Sequence, residues 1–418
     1  MSFLFSPDPL GIMFAVLFAL IFLLVGIASI EYIRHEGGPG RFYAFYIPTA
    51  IILISACFAG NFFTYYVLFE LMTFLSMPLV LHARTHESVM AALKYLFYSV
   101  AGAFLTIFGF FLFLSKGYDL TFVAGGSLGI AELSNRELFA VFLMILGFGT
   151  KAGMFPMHAW LPTAHPVAPA PASAVLSGVI TKVGVLGIIR CLFYVTGISA
   201  IRGTWVQYTW LILTMLTVFM GSMMAYMEKG LKKRMAYSTV SQVSYILFGL
   251  ATMQPVAFVG AIMHVIFHSL VKDTLFLSAG AIIMKTGRTQ VKELAGIGKK
   301  MPVTMWCFTL VSVTLIGIPP TSAFVSKWYL CIGALDSAIP VIRWLGPCVL
   351  LVSALLTAGY LLTVAIHAFF DEDALDYTDP GLGMMIPMLI MTVLAVVLGI
   401  FNNGLITYIE EITRELFL

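Results

Sequence analysis

The chain has 418 residues, 60% of them hydrophobic and 10% charged, with a formal net charge of +3. Soluble domains carry about 25% charged residues. The composition therefore excludes an ordinary soluble fold and predicts a polytopic membrane protein, organised in spans of about 20 residues. A positive balance this small, with no basic arm, excludes a nucleic-acid binder.

The N-terminal M-S-F-L-F-S-P-D-P-L lacks the basic region of a cleaved signal, so the first span is predicted to be retained. Apolar runs predict spans near 12–33, 43–60, 63–82, 92–115, 137–160, 171–196, 206–227, 237–253, 257–284, 301–338, 343–370 and 384–402. The tenth is too long for one straight helix and holds Gly317, Ile318, Pro319 and Pro320 mid-way, so it reads as a single discontinuous span. The prediction is all-α, with about twelve crossings. Lys and Arg crowd one set of alternate loops, at Arg34, Arg41, Arg84, Lys229, Lys232, Lys233, Arg234, Lys285, Arg288, Lys292, Lys299 and Lys300. The other set holds Lys116, Arg136, Arg190, Arg202, Arg343 and Arg414. The positive-inside rule makes the first set cytoplasmic, with both termini outside.

Residues 43–196 and 206–370 each supply five spans, the fourth of each broken by proline and bearing a lysine: Lys151 before Pro156, Lys327 after Pro320. Five crossings per unit require the second copy to be inverted, and paired broken helices in inverted repeats are a transporter pattern. The expected organisation is an N-terminal helix and loop (1–42), a first repeat (43–197), a second, inverted repeat (198–370), and an acidic loop with a C-terminal helix (371–418).

Lys151 and Lys182 lie in apolar segments joined by a proline-rich elbow, neither with a carboxylate within one helical turn. A cation in hydrocarbon costs about 2.5–3.5 kcal/mol even on the lenient insertion scale, and such residues line ion or proton paths. The competing reading is a lysine that snorkels from a helix end; Pro156, five residues after Lys151, breaks the helix beside the charge and weakens it. Glu70, embedded in the third span, is a candidate partner for Lys151, against the reading of a protonated structural glutamate. His264, His268 and Lys272 recur at i, i+4 and i+8 and share one helix face. Histidine titrates near neutrality and suits a relay; the alternatives are satisfied core polar groups or a metal site, and no carboxylate or cysteine completes the latter. Lys327 closes the row. Lys94 can instead snorkel near Arg84, and His158 and His165 in the elbow are as well suited to a structural turn. The acidic run Asp371, Glu372, Asp373, Asp376 and Asp379 reads as a solvated loop. Cys57, Cys191, Cys307, Cys331 and Cys348 show no ligand spacing and read as buried small hydrophobes, and no phosphate-cradling glycine loop is present. No metal, redox or nucleotide chemistry is expected of this chain.

The stretch K-A-G-M-F-P-M-H-A-W-L-P-T-A-H-P followed by S-A-V-L-S-G-V-I-T-K resembles the signature of the antiporter-like subunits shared by respiratory complex I, Mrp sodium/proton antiporters and membrane-bound hydrogenases. Glu70-Leu71, L-K-K-R-M-A-Y-S-T-V-S-Q-V, H-S-L-V-K-D-T-L-F and G-I-P-P-T-S-A-F-V-S-K are similar to further motifs of that family, in order along nearly the whole chain. The wording is closer to the hydrogenase and Mrp versions. Departures are Phe69 where tryptophan is usual, Ala323 where glycine is usual, and one helix instead of three before the first repeat, a face that another subunit is expected to cover.

The resemblance implies an ion-translocating subunit, for protons and/or sodium, of a redox-driven complex in a prokaryotic cytoplasmic membrane. It implies Glu70 as channel carboxylate, Lys151 as gated lysine, Lys182 as connecting lysine, His268 as central relay and Lys327 as exit lysine. The chain is then a non-redox subunit of an oxidoreductase complex. Its partners are other membrane subunits, further antiporter-like ones among them, and a peripheral module carrying iron–sulfur and, in some versions, nickel–iron centres. The alternatives are a gradient-driven Mrp-type antiporter subunit and a non-conducting anchor; a scaffold has no reason to keep so many costly charges.

Overall fold

The computed structural model describes residues 2–129, 132–371 and 377–417, which form helices and only isolated β-bridges. With no water in hydrocarbon to satisfy backbone groups, helices are the available solution for a single spanning segment. Four long ones open the chain: α1 (Pro9–Glu36), α2 (Pro39–Cys57), α3 (Phe62–Val80) and α4 (His86–Leu114). Asp8, Asn61 and Thr85 each accept a backbone N–H in the first turn of α1, α3 and α4, satisfying a donor that helix starts leave free. A capping box of Ser134 and Glu137 starts α5 (Asn135–Ala152).

After an irregular elbow come α6 (Leu161–Val167), α7 (Ala170–Val175), a π-helical turn at Leu176–Ile180, α8 (Thr181–Ile189) and a second π-helical run at Arg190–Thr196. Then follow α9 (Trp205–Met227), α10 (Leu231–Ala251), α11 (Pro255–Thr286), the short α12 (Ile297–Lys300), α13 (Pro302–Ile316) and α14 (Ser322–Leu335). The chain closes with α15 (Pro340–Phe370), α16 (Leu382–Ile400) and α17 (Asn403–Phe417). Among the described residues nine helices are long and apolar enough to cross a membrane. The charge-bearing α5 and α10 and the α13–α14 pair bring the sum to the predicted twelve.

Position in the bundle separates the helices. The composite segment Ala170–Thr196 is wholly buried and α11 nearly so, whereas α2, α4, α15 and α16 turn much of their surface outward. Phe97, Phe104, Trp344 and Leu355 lie on that outer surface, where lipid replaces water as the apolar solvent. Lys182, His264, His268 and Lys272 thus stand on two deeply buried segments of the bundle.

The two ends of the bundle differ in charge. At one end Arg41 bonds His82 O, Lys232 bonds Ala168 O, and Gly296 N bonds His367 O; the arginine- and lysine-rich loops lie there. At the other, Phe62 N bonds Leu120 O, Arg202 bonds Met253 O, and Tyr408 Oη bonds Pro9 O.

Several expectations need correction. α5 ends at Ala152, not near 160, because Gly153 takes a left-handed conformation there. α10 begins at Leu231, not 237: Lys232 and Arg234 sit in its first turn, their charges met by the carbonyls of Ala168, Glu228 and Tyr360. Arg190, assigned to a loop, is buried in the second π-helical run. Cys348 is exposed and Cys331 partly so, so only Cys57, Cys191 and Cys307 are buried small hydrophobes. Within the acidic run, Glu372, Asp373 and Asp376 lie outside the described residues. Asp379 is no mere solvated charge: it accepts the N–H groups of Val303 and Thr304 at 3.0 and 2.9 Å and caps α13. The amphipathic α17, which buries Ile409, Ile412 and Leu416, was missed because its mixed polarity gives no span signal.

Candidate functional site: a row of buried cations and histidines

Lys151 lies in the last turn of α5, fully enclosed. Its ammonium donates to Tyr95 Oη at 2.8 Å and Ser99 Oγ at 2.9 Å, both from α4, and stands 4.3 Å from the Tyr95 ring centroid. Tyr95 Oη in turn lies 2.7 Å from Ser76 Oγ of α3. Glu70, on the same helix, forms no contact ion pair with Lys151; its Oε1 is buried without a partner, and the two charges interact through space. The lysine is thus solvated by hydroxyls and aromatic faces, and the carboxylate acts at a distance. The elbow is tied back onto α5 by Trp160 Nε1, which donates to Thr150 O at 2.8 Å.

Lys182 begins the second piece. Its amine donates to Ser177 O at 2.6 Å and stands 2.6 Å from His268 Nδ1. The bond to Ser177 joins residues five apart, across the junction of the π-helical turn with α8. Such turns inside α-helices gather at functional sites. The His268 and His264 ring centroids are 5.9 Å apart, as their shared face requires.

From Lys272 a hydrogen-bonded chain runs to the far broken helix. Lys272 donates to Ser238 Oγ at 2.6 Å, and Ser238 Oγ lies 2.6 Å from Tyr360 Oη. Tyr360 donates to Thr357 Oγ1 at 3.3 Å, which also accepts from Gln242 at 3.5 Å. Gln242 Oε1 lies 3.2 Å from His264 Nε2, and His264 Nδ1 2.9 Å from Ser326 Oγ. Lys327 follows. Its amine donates to Leu315 O at 2.6 Å and Ile316 O at 3.1 Å, the carbonyls freed where α13 ends, and stands 5.0 Å from the Tyr245 ring centroid. Gly317, with φ +92°, makes that ending; a residue with a Cβ is strained in this left-handed region.

The predicted residues therefore fall into three groups: Glu70 with Lys151, Lys182 with His268, and Lys272 through His264 to Lys327. No direct hydrogen bond joins the first group to the second. Lys94 lies at the periphery, donating to Thr163 Oγ1 of α6 at 3.0 Å. His158 is partly buried, stacked on Phe155 and within the field of Lys94. His165 is buried with both ring nitrogens unpartnered, stacked on Phe276 at 4.6 Å. Pro156, Pro319 and Pro320 stand just beyond glycines that terminate α5 and α13, so they prevent resumption of each helix and the glycines make the break.

Sequence reasoning missed Tyr95, Ser99, Ser238, Gln242, Ser326 and Tyr360, neutral residues whose polarity is common in helices. It also missed Asp8, which accepts both Arg190 Nη1 and Nη2 and the Tyr194 hydroxyl. Burial works against the Asp8 charge, but Arg190 and Tyr194 outweigh it and hold its carboxyl below the usual range. Among the described residues no group of three or more His, Cys, Asp and Glu is placed to hold a metal ion.

The family described as "NADH:quinone oxidoreductase/Mrp antiporter, TM" matches residues 59–353. NADH-quinone oxidoreductase subunit N of Desulforudis audaxviator is 34% identical over 397 residues, 89% of this chain and 76% of that protein. Hydrogenase-4 component B of Escherichia coli is 32% identical over 343 residues, 77% of this chain but only 49% of that protein, so this chain spans about half of it. In the structure of the Mrp complex from Dietzia sp., one chain superposes with a TM-score of 0.86 at 21% identity, covering 99% of this chain and 84% of that one, a likeness of fold. The match over residues 59–353, inside a bundle whose central helices carry buried lysines and histidines, places this chain in the NADH:quinone oxidoreductase/Mrp antiporter membrane-subunit family.

Proposed function

We propose that this chain is an ion-translocating membrane subunit that passes protons, alone or against sodium, along the row Glu70, Lys151, Lys182, His268, Lys272, His264 and Lys327. The observation that carries this reading is the Lys182–His268 contact at 2.6 Å beside the hydrogen-bonded run from Lys272 to Ser326. Lysines enclosed in a bundle, solvated by hydroxyls and carbonyls in place of carboxylates, can release and regain a proton at small cost. Glu70 is the charge that biases Lys151 from a distance. Lys182 hands the proton to His268, and Lys327 is the far terminus.

The fold organisation we assign to this activity is two inverted five-helix units, residues 43–197 and 198–370. The basic end of the bundle faces the cytoplasm by the positive-inside rule, which puts both described chain ends outside. The subunit works beside other membrane subunits in a complex driven by a peripheral redox module, whose iron–sulfur centres supply the electrons that this chain does not handle. Gradient-driven sodium/proton exchange is the second reading, favoured by the fold likeness to an Mrp complex chain.

Lys151→Ala tests the proposal. In vesicles carrying the intact purified complex, the variant is expected to assemble and to abolish ion movement followed with a pH-sensitive dye. Undiminished translocation in that variant removes Lys151 from the pathway. Identification of the co-purifying subunits separates the two readings: a subunit with iron–sulfur or nickel–iron centres supports the first, small membrane subunits alone the second.

A further inference from the structure

Asp273 is fully buried on α11, and both of its carboxylate oxygens lack a hydrogen-bond partner. It follows Lys272, about 100° round the helix from the His264–His268–Lys272 face. Its carboxyl group packs against Gly178 in the π-helical turn, where a Cβ at 178 would collide with it. One helical turn earlier, Ser269 Oγ donates to Gly178 O at 2.5 Å, so the register of α11 against that turn is fixed. The adjoining residue of the turn, Ser177, offers the carbonyl that holds the Lys182 amine at 2.6 Å. A single irregular turn therefore seats Lys182 and Asp273 at neighbouring peptides. The two charges interact, and Lys182 is the cation whose field Asp273 feels. A buried carboxylate with no donors is costly unless an opposite charge compensates it, and shape alone gives no reason for one here.

We propose that Asp273 is the counter-charge of Lys182, a positioning residue that decides when Lys182 releases its proton. The inference rests on the proton-row reading above. With Asp273 ionised, Lys182 is kept as an ammonium and the N–H proton stays on Nζ. When Asp273 takes up a proton, that hold is lost: the Lys182 Nζ–H bond breaks and an N–H bond forms at His268 Nδ1, leaving a neutral amine and an imidazolium. The groups around the pair are Tyr46 of α2, His165 of α6, and His264, His268 and Lys272 of α11. Tyr46 is engaged with Phe22 O, and His165, His264, His268 and Lys272 carry no negative charge, so none can replace the carboxylate. The junction then has an acid–lysine pair of its own, as Lys151 has in Glu70.

The test is Asp273→Asn in the whole complex in vesicles, with Lys151→Ala measured alongside. Asparagine keeps the shape against Gly178 and removes the charge. Expected are normal assembly, translocation reduced at least about tenfold at neutral pH, and an alkaline limb of the rate–pH profile moved acidward by about one unit, since the ammonium has lost its counter-charge. Asp273→Ala, which leaves no polar atom to satisfy, replaces it if the asparagine variant fails to assemble and is expected to give the same profile. A wild-type rate and profile for Asp273→Asn, while Lys151→Ala is inactive, overturns the role of Asp273 and leaves the row intact. Full activity in Lys151→Ala overturns the row and this inference with it. Failure of both Asp273 variants to assemble makes the carboxylate structural and also overturns the inference.

Discussion

Tyr95→Phe isolates the group that solvates Lys151. The substitution removes one oxygen and keeps the ring, so the cation–π contact at 4.3 Å and the packing between α4 and the elbow survive. What is lost is a charge-assisted hydrogen bond of 2.8 Å. Such bonds contribute about 1.5–3 kcal/mol, and each 1.4 kcal/mol is about tenfold in an equilibrium. Ser76 is not orphaned, because its hydroxyl also donates to Thr73 O at 3.2 Å. Ser99 still accepts from the amine, so the ammonium form is weakened and not eliminated. Translocation should fall about 10- to 100-fold with assembly intact, and Ser99→Ala should act in the same direction. The assay is dye-monitored ion movement in vesicles carrying the complex, normalised to the amount of assembled subunit. Wild-type rates for both variants would show that hydroxyl solvation of Lys151 has no part in transport.

Asp8→Asn should destabilise the bundle by about 3 kcal/mol, near the low end for removing one partner of a buried pair because Asp8 keeps some solvent contact while Arg190 does not; a thermal melt of the detergent-solubilised protein reads it. Because the folded carboxyl is held below its ordinary value of 3.8, its contribution is present above that value and is lost as pH falls through the lower folded one. The wild type should therefore lose stability on acidification below about pH 4 by an increment absent from Asp8→Asn. Lys327→Ala should lose both transport and stability, since the Leu315 and Ile316 carbonyls lose their donor at about 1–3 kcal/mol each. Lys151→Ala, whose partners are hydroxyls able to bond elsewhere, should lose transport alone; equal melting temperatures for the two variants would refute the distinction.

Span positions were legible because hydropathy reports the bilayer's demand for about 20 apolar residues directly. The limits of that signal show at α10, where three cations in the first turn masked a helix start that carbonyls make tolerable, and at α17, where an amphipathic pattern carries little mean hydropathy. Lys151, Lys182, His264, His268, Lys272 and Lys327 stood out because charges are rare in apolar segments. Their partners did not, because serine, threonine, tyrosine and glutamine are unremarkable in a helix until a second helix brings a cation to them. Glu70 and Lys151 could be named from the sequence as opposite charges that act on each other, but only packing shows that the amine is held by Tyr95 and Ser99 and not by the carboxylate. Asp273 was hidden beside Lys272, its separate face visible only once α11 was set against the π-helical turn.

The two broken helices meet one electrostatic problem in different ways. A helix end leaves its last carbonyls without intrahelical donors, and their partial negative charge favours a cation nearby. At α13 the N–H groups of Gly317 and Ile318 turn back to Val313 and Thr314, so Leu315 and Ile316 are left for Lys327, which comes from beyond the break. At α5 the lysine belongs to the ending helix itself and cannot fold back onto its own terminal carbonyls as easily. Its amine crosses to α4, where hydroxyls hold it. A cation held by fixed backbone carbonyls has one place to be, whereas one held by rotatable hydroxyls has several. That difference makes Lys151 the better candidate for the group whose proton is gated, and Lys327 for a fixed terminus.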